Sequence, residues 1–142
     1  MANLYSSNDK SFLTINIIKY EDVSNDWLFI KLIFVLGTKT LLEIAGSFIR
    51  MSEFVAFYEN VRQLVNYNVK EIESAFLEPN LKIRIEKKED GQFQVDANFL
   101  EIVDYANGKI NRKNAKHLLF ETKKEKLYAF AEELAAEIKK FG

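Results

Sequence analysis

The chain has 142 residues, 48% of them hydrophobic and 29% charged, with a formal net charge of −1 and an isoelectric point near 5.9. That length suits a single domain over residues 1–142 with a sizeable core, and the near-neutral charge gives no global pull toward nucleic acid or anionic lipid. With no cysteine, disulfides, thiolate zinc sites and cysteine nucleophiles are excluded.

The opening Met1-Ala2-Asn3-Leu4-Tyr5 lacks a basic segment leading into an apolar one, and no apolar run approaches the ~20 residues of a membrane span. Together with the missing cysteines this leads us to expect a cytoplasmic location and no membrane partner. Five glycines and one proline leave little room for a linker, so the whole chain is expected to be ordered.

Between Phe12 and Tyr20, Leu13, Ile15 and Ile17 alternate with Thr14 and Asn16, the pattern of a half-buried strand. Glu21 to Asp26 reads as a loop. Trp27 to Leu36 is apolar on both faces except at Lys31, which predicts a strand covered on at least part of each face. Gly37-Thr38 suits a two-residue hairpin turn, and a return strand follows through Leu41, Leu42, Ile44 and Phe48.

Ser52 is a candidate N-cap for a helix whose apolar residues Phe54, Phe57, Tyr58, Val61, Leu64 and Val65 recur every three or four positions. Tyr67-Asn68 ends it. Val69 to Leu77 is expected to be a mostly exposed connection pinned by Ile72 and Phe76. Pro79 forces Glu78 out of helical geometry, so the chain turns or enters a strand there. Leu81, Ile83 and Ile85 then alternate with Lys82, Arg84 and Glu86 in a strand with one buried face.

Asp90-Gly91 signals a hairpin, with Phe93, Val95, Ala97 and Phe99 on the return strand, and Asn107-Gly108 signals a second. The polar, basic segment from Lys109 to Lys116 predicts that the next strand is short, from His117 to Glu121. Thr122-Lys123-Lys124-Glu125 matches a capping box, ahead of a last helix with Leu127, Phe130, Ala131, Leu134, Ile138 and Phe141 on one face. The order β-β-β-α-β-β-(β)-α predicts an α+β fold: one antiparallel sheet of about five to six strands with two amphipathic helices packed on it.

Sites for chemistry are scarce. His117 is the only histidine, which excludes multi-histidine metal sites and reads best as a structural or surface residue. No phosphate-cradling glycine loop, HExxH or EF-hand pattern occurs, and no carboxylate pair is singled out by spacing, so neither a metal, a cofactor nor an enzymatic activity is expected. Trp27 and the phenylalanines fall at positions expected to face the core. Charge is uneven along the chain: residues 69–104 carry five Lys/Arg against nine Asp/Glu, and residues 109–126 carry seven against two. Without interleaved exposed aromatics, the basic stretch does not predict direct nucleic-acid binding.

Four stretches together resemble the WapI-type immunity proteins: Asn25-Asp26-Trp27-Leu28 opening a strand, the Phe54/Phe57/Val61/Leu64 helix, Phe76-Leu77-Glu78-Pro79-Asn80-Leu81, and the closing Leu127/Leu134/Phe141 helix. The resemblance runs from about Phe12 to Phe141. It implies a cytoplasmic antidote that binds and neutralises the toxic C-terminal domain of a polymorphic toxin, in that family a nuclease acting on tRNA. On this reading acidic side chains stand in for nucleic-acid phosphates, and Glu71, Glu73 and Glu78, flanking the family-like stretch, are the candidate partner contacts. The alternative is a small-molecule-binding or self-associating accessory domain, for which an enclosed pocket or an extensive two-fold interface would be expected.

Overall fold

Side-chain alternation organises the first sheet. In β2 (Phe12–Asp22), Leu13, Ile15 and Ile17 are buried, and in β3 (Trp27–Leu36) so are Leu28, Ile30, Leu32 and Phe34. A period of two puts each set on one face, and the antiparallel register sets Leu13 beside Phe34 and Ile15 beside Leu32. β4 (Lys39–Arg50) returns after Gly37, whose φ of +61° supplies the left-handed turn conformation expected there. A short β1 (Ala2–Tyr5) pairs with the other side of β2, which gives the order β1-β2-β3-β4. The computed structural model describes every residue except 68, 79, 107 and 108, and describes the strand residues within 101–114 by their backbone alone.

The second sheet is built from β5 (Glu71–Glu73), β6 (Leu81–Lys87), β7 (Phe93–Ala106) and β8 (Lys109–Thr122), antiparallel and in that order. Its buried face carries Ile72, Leu81, Ile83, Ile85, Phe93, Val95, Ala97, Phe99, Leu118 and Phe120. The β6–β7 hairpin closes as Asp90-Gly91 predicts: Gly91 has φ +82°, and the Gln92 amide donates to Asp90 Oδ1 at 3.0 Å.

The class is α+β as expected, but the single sheet of five to six strands is replaced by two four-stranded sheets. The α1 helix intervenes between the two runs of hairpins, and pairing across it is not a local property of sequence. β1 and β5 were not expected as strands. β8 is far longer than His117 to Glu121, because backbone pairing with β7 continues through the polar segment whatever its side chains. The turns expected at Pro79 and Asn107-Gly108 lie outside the described residues, as does Asn68.

Helix α1 (Met51–Asn66) buries Met51, Phe54, Phe57, Val61, Leu64 and Val65, and α2 (Lys124–Phe141) buries Leu127, Phe130, Ala131, Leu134 and Glu137. The helices pack on each other, with Phe57 and Phe130 ring centroids 6.3 Å apart. Phe76 reaches the same cluster at 5.9 Å from Phe57, and Ile72 is buried, so both pin their segment as predicted. Phe48 of β4 meets Phe99 of β7 edge-on at 5.2 Å, joining the two sheets; the Phe48 ring lies over Gly46, where a Cβ would collide with it.

Neither expected cap forms. Ser52 lies inside α1, and its amide donates to Asp26 Oδ2 at 2.9 Å while the Met51 amide donates to the Asp26 carbonyl at 2.9 Å. Asp26, at φ +67°, thus caps α1 from the β2–β3 loop. Glu53 completes the arrangement: its Oε1 accepts from the Arg50 amide at 2.9 Å and its Oε2 from the Leu77 amide. The Asp26 and Phe76–Leu81 stretches, distant in sequence, therefore meet at one helix end. Thr122 ends β8 instead of capping α2, since its hydroxyl is buried and donates to the Tyr5 carbonyl at 2.6 Å.

α2 also closes an open strand edge. Asn3 of β1 donates its amide to Glu133 Oε1 at 3.1 Å, and Ile17 of β2 donates to Glu137 Oε1 at 3.3 Å. The buried Glu137 lies 3.5 Å from the Met1 ammonium, which offsets part of the cost of removing a carboxylate from water. None of the described helices is long and apolar enough to cross a membrane.

Candidate functional site

The register of the second sheet dictates its outer face. Glu71 pairs with Glu86, Glu86 with Gln94 and Gln94 with Glu121; one row along, Glu73, Arg84, Asp96 and Leu119 are neighbours, and then Lys82, Asn98 and His117. All eleven alternate with the buried residues of the same strands, so all project from the side away from the core. Five carboxylates share this surface with two permanent cations, Lys82 and Arg84.

Like charges directly across a ladder repel, and Glu71 opposite Glu86 is such a pair. Arg84 answers it from the neighbouring row: Nε is 2.6 Å from Glu71 Oε1 and Nη2 is 3.2 Å from Glu86 Oε2. The hydrogen bond from Arg84 holds the Glu71 carboxyl below its ordinary value, and the Glu71 carboxylate in turn raises the guanidinium. Lys82 Nζ sits 2.7 Å from Glu73 Oε1. Glu71, Glu73, Lys82 and Arg84, with Asp96 and Asn98, line a surface recess of about 330 Å³.

Of the three predicted contacts, the structure brings Glu71 and Glu73 together on this face. Glu78 lies half-buried in the connection between β5 and β6 and does not line the recess. Sequence reasoning missed Glu86, Asp96 and Glu121, which share the face; the alternation of Lys82, Arg84 and Glu86 was the available signal, but the cross-strand register was needed to align it with β5 and β7. His117 is exposed, as a surface histidine should be, with Nε2 2.6 Å from Asp96 Oδ1, to which Asn98 Nδ2 also donates at 2.9 Å.

The first sheet presents a different outer face. Trp27 and Phe29 do not enter the core as expected, because the even-numbered residues of β3 occupy it; Trp27, Phe29, Ile33 and Val35 stand half-buried on the opposite side with Phe12 of β2. Cations shield part of this surface, with the Arg50 guanidinium 5.0 Å from the Trp27 ring centroid and Lys19 Nζ 5.7 Å from that of Phe29.

Among the described residues no group of three or more His, Asp or Glu side chains is placed to hold a metal ion. One recess of about 570 Å³ is lined by Glu86, Lys87, Lys88, Glu89, Asp90 and Glu121, unlike the apolar clefts that hold small molecules, and another of about 520 Å³ is lined by apolar and polar residues together, among them Leu64, Val65, Tyr67, Phe93, Lys87 and Lys124. The geometry is that of an open, mixed-charge surface with an acidic excess, able to meet another macromolecule by charge and hydrogen bonding.

Comparison with curated proteins finds none that matches. The model of the WapI-like immunity protein family matches residues 4–142, nearly the whole chain, and the protein belongs to that family.

Proposed function

We propose that the chain is a cytoplasmic, non-enzymatic antidote that binds and neutralises a cognate bacterial toxin domain through the outer face of the second sheet. The observation that carries this reading is the acidic excess on that face, in a member of an immunity family. A nuclease is the toxin class that fits best, since an enzyme that grips phosphates presents a basic surface, and carboxylates held on a strand face complement it and accelerate encounter. Glu71 and Glu73 are the central contacts, and Glu78 is an outlying one on the connection beside them.

Co-expression with the toxin domain encoded immediately upstream tests the main claim: growth is restored and the two proteins co-purify. Absence of both sinks it. Reversing Glu71, Glu73 and Glu78 to lysine slows association and weakens its salt dependence; an unchanged on-rate at low and high salt removes them from the interface. A second reading, self-association, is favoured by the half-exposed Phe12, Trp27, Phe29, Ile33 and Val35 on the first sheet. It predicts sedimentation that shifts with concentration and loss of that shift in Phe29→Lys.

A further inference from the structure

The carboxylates on the outer face of the second sheet are held before any partner arrives. Arg84 stands in β6 with Glu73 and Asp96 on either side of it in one row and with Glu71 and Glu86 in the next. Its Nε lies 2.6 Å from Glu71 Oε1 and its Nη2 3.2 Å from Glu86 Oε2, so one planar group bridges two carboxylates that repel across the ladder. Lys82 Nζ holds Glu73 Oε1 at 2.7 Å, and Asn98 Nδ2 and His117 Nε2 both reach Asp96 Oδ1.

The bridge leaves the other two oxygens, Glu71 Oε2 and Glu86 Oε1, without a hydrogen bond or ion pair among the described residues. All three side chains are half-exposed, so a partner can reach those oxygens without displacing Arg84.

A face that draws in a basic partner by long-range attraction does so more strongly the larger its negative charge, and Arg84 cancels one unit of it. In exchange it supplies order. Fixing a rotamer-rich side chain at an interface lowers affinity by roughly two- to tenfold, and Arg84 fixes two such side chains in the free chain. We infer that Arg84 is a positioning residue of the toxin interface, which bridges Glu71 and Glu86 so that their free oxygens stand ready for lysine or arginine side chains of the toxin domain. This rests on the function proposed above and adds to it a division of roles: the carboxylates set the speed of encounter, and Arg84 sets the lifetime of the complex. A residue that only relieved repulsion within the sheet would act on stability and leave that lifetime unchanged.

Association and dissociation rates of the full chain with the toxin domain encoded immediately upstream test the inference. Arg84→Gln deepens the negative charge and releases both carboxylates, so association at low salt is expected to quicken about twofold and dissociation about tenfold. Arg84→Lys keeps the charge but loses the planar fork; association stays at the native rate, and dissociation quickens about threefold. Unchanged dissociation in Arg84→Gln overturns the inference, and the proposed function still stands if reversal of Glu71, Glu73 and Glu78 to lysine slows association. Slower association in both Arg84 variants, together with a lowered Tm, assigns Arg84 to the sheet alone and overturns it as well. If neither the Arg84 variants nor the charge reversal alters either rate, the inference and the placement of the interface fall together; absence of any complex overturns the proposed function too. Should Arg84→Gln fail to fold, Arg84→Lys, which retains a cation between Glu71 and Glu86, carries the test.

Discussion

Replacing Glu53 probes the junction where α1, the β2–β3 loop and the segment before β6 are tied. In Glu53→Ala the Arg50 amide, bonded at 2.9 Å, and the Leu77 amide both lose their acceptor, and α1 loses the acidic residue of its first turn. Loss of an N-terminal cap costs about 0.5–2 kcal/mol, and the charge next to the helix dipole accounts for about 0.3–1 kcal/mol of such an effect. Leu77 is 64% exposed, so its freed amide returns to water and adds no more than about 0.5 kcal/mol. The expected loss is about 1–2 kcal/mol, or a fall of about 3–8 °C in Tm for a chain of this size. Urea titration followed by circular dichroism reads it as a lower midpoint with unchanged slope. Glu53→Gln retains one acceptor oxygen and loses about half as much. A loss below about 0.5 kcal/mol in Glu53→Ala would refute the view that this carboxylate joins the three segments.

Three other substitutions address the core, the sheet junction and the charged face. Phe57→Ala, which removes a side chain 2% exposed between Phe76 and Phe130, is expected to cost about 3–5 kcal/mol by urea titration, with a single transition shared by near- and far-ultraviolet signals; separate transitions would show that the sheets unfold independently. Gly46→Ala drives a methyl into the Phe48 ring and costs about 1–3 kcal/mol, while Gly46→Ala with Phe48→Leu recovers part of the loss; equal losses would mean the ring is not the obstacle. Glu71 has its carboxyl lowered from 4.5 by the hydrogen bond from Arg84, so its contribution is complete above about pH 4.5 and is lost as pH falls through the lowered value. The Tm difference between native chain and Glu71→Gln should therefore be largest near neutrality and vanish in acid; a constant difference across that range would contradict it.

Local rules carried part of the fold. The β3 span follows from its continuous apolar run, the buried faces of β2 and β6 from alternation, and both helices from three- and four-residue spacing, because each pattern is complete within one element. β1 and β5 are too short for a pattern to register, and they exist as strands because β2 and β6 offer them edges. Ser52 and Thr122 have cap chemistry, but Asp26 and the Tyr5 carbonyl, far away in sequence, take the hydrogen bonds involved. The same limit applies to the candidate site. Glu71 and Glu73 could be named because they flank the family-like stretch, whereas their pairing with Arg84 and Lys82 and the company of Asp96 depend on register across three strands.

The clasp of α2 on the first sheet sets a delay. The Asn3 amide finds its acceptor 130 residues further on, at Glu133. A ribosome adding ~5–20 residues per second takes roughly 7–26 s to reach it, and until then the outer edge of β1 stays unguarded. In the proposed antidote role, a newly started chain would not be finished when a toxin begins to act. Cover during an attack would come from chains whose C-terminal helix has already closed, so the standing pool, more than the rate of new synthesis, would set how much toxin a cell survives.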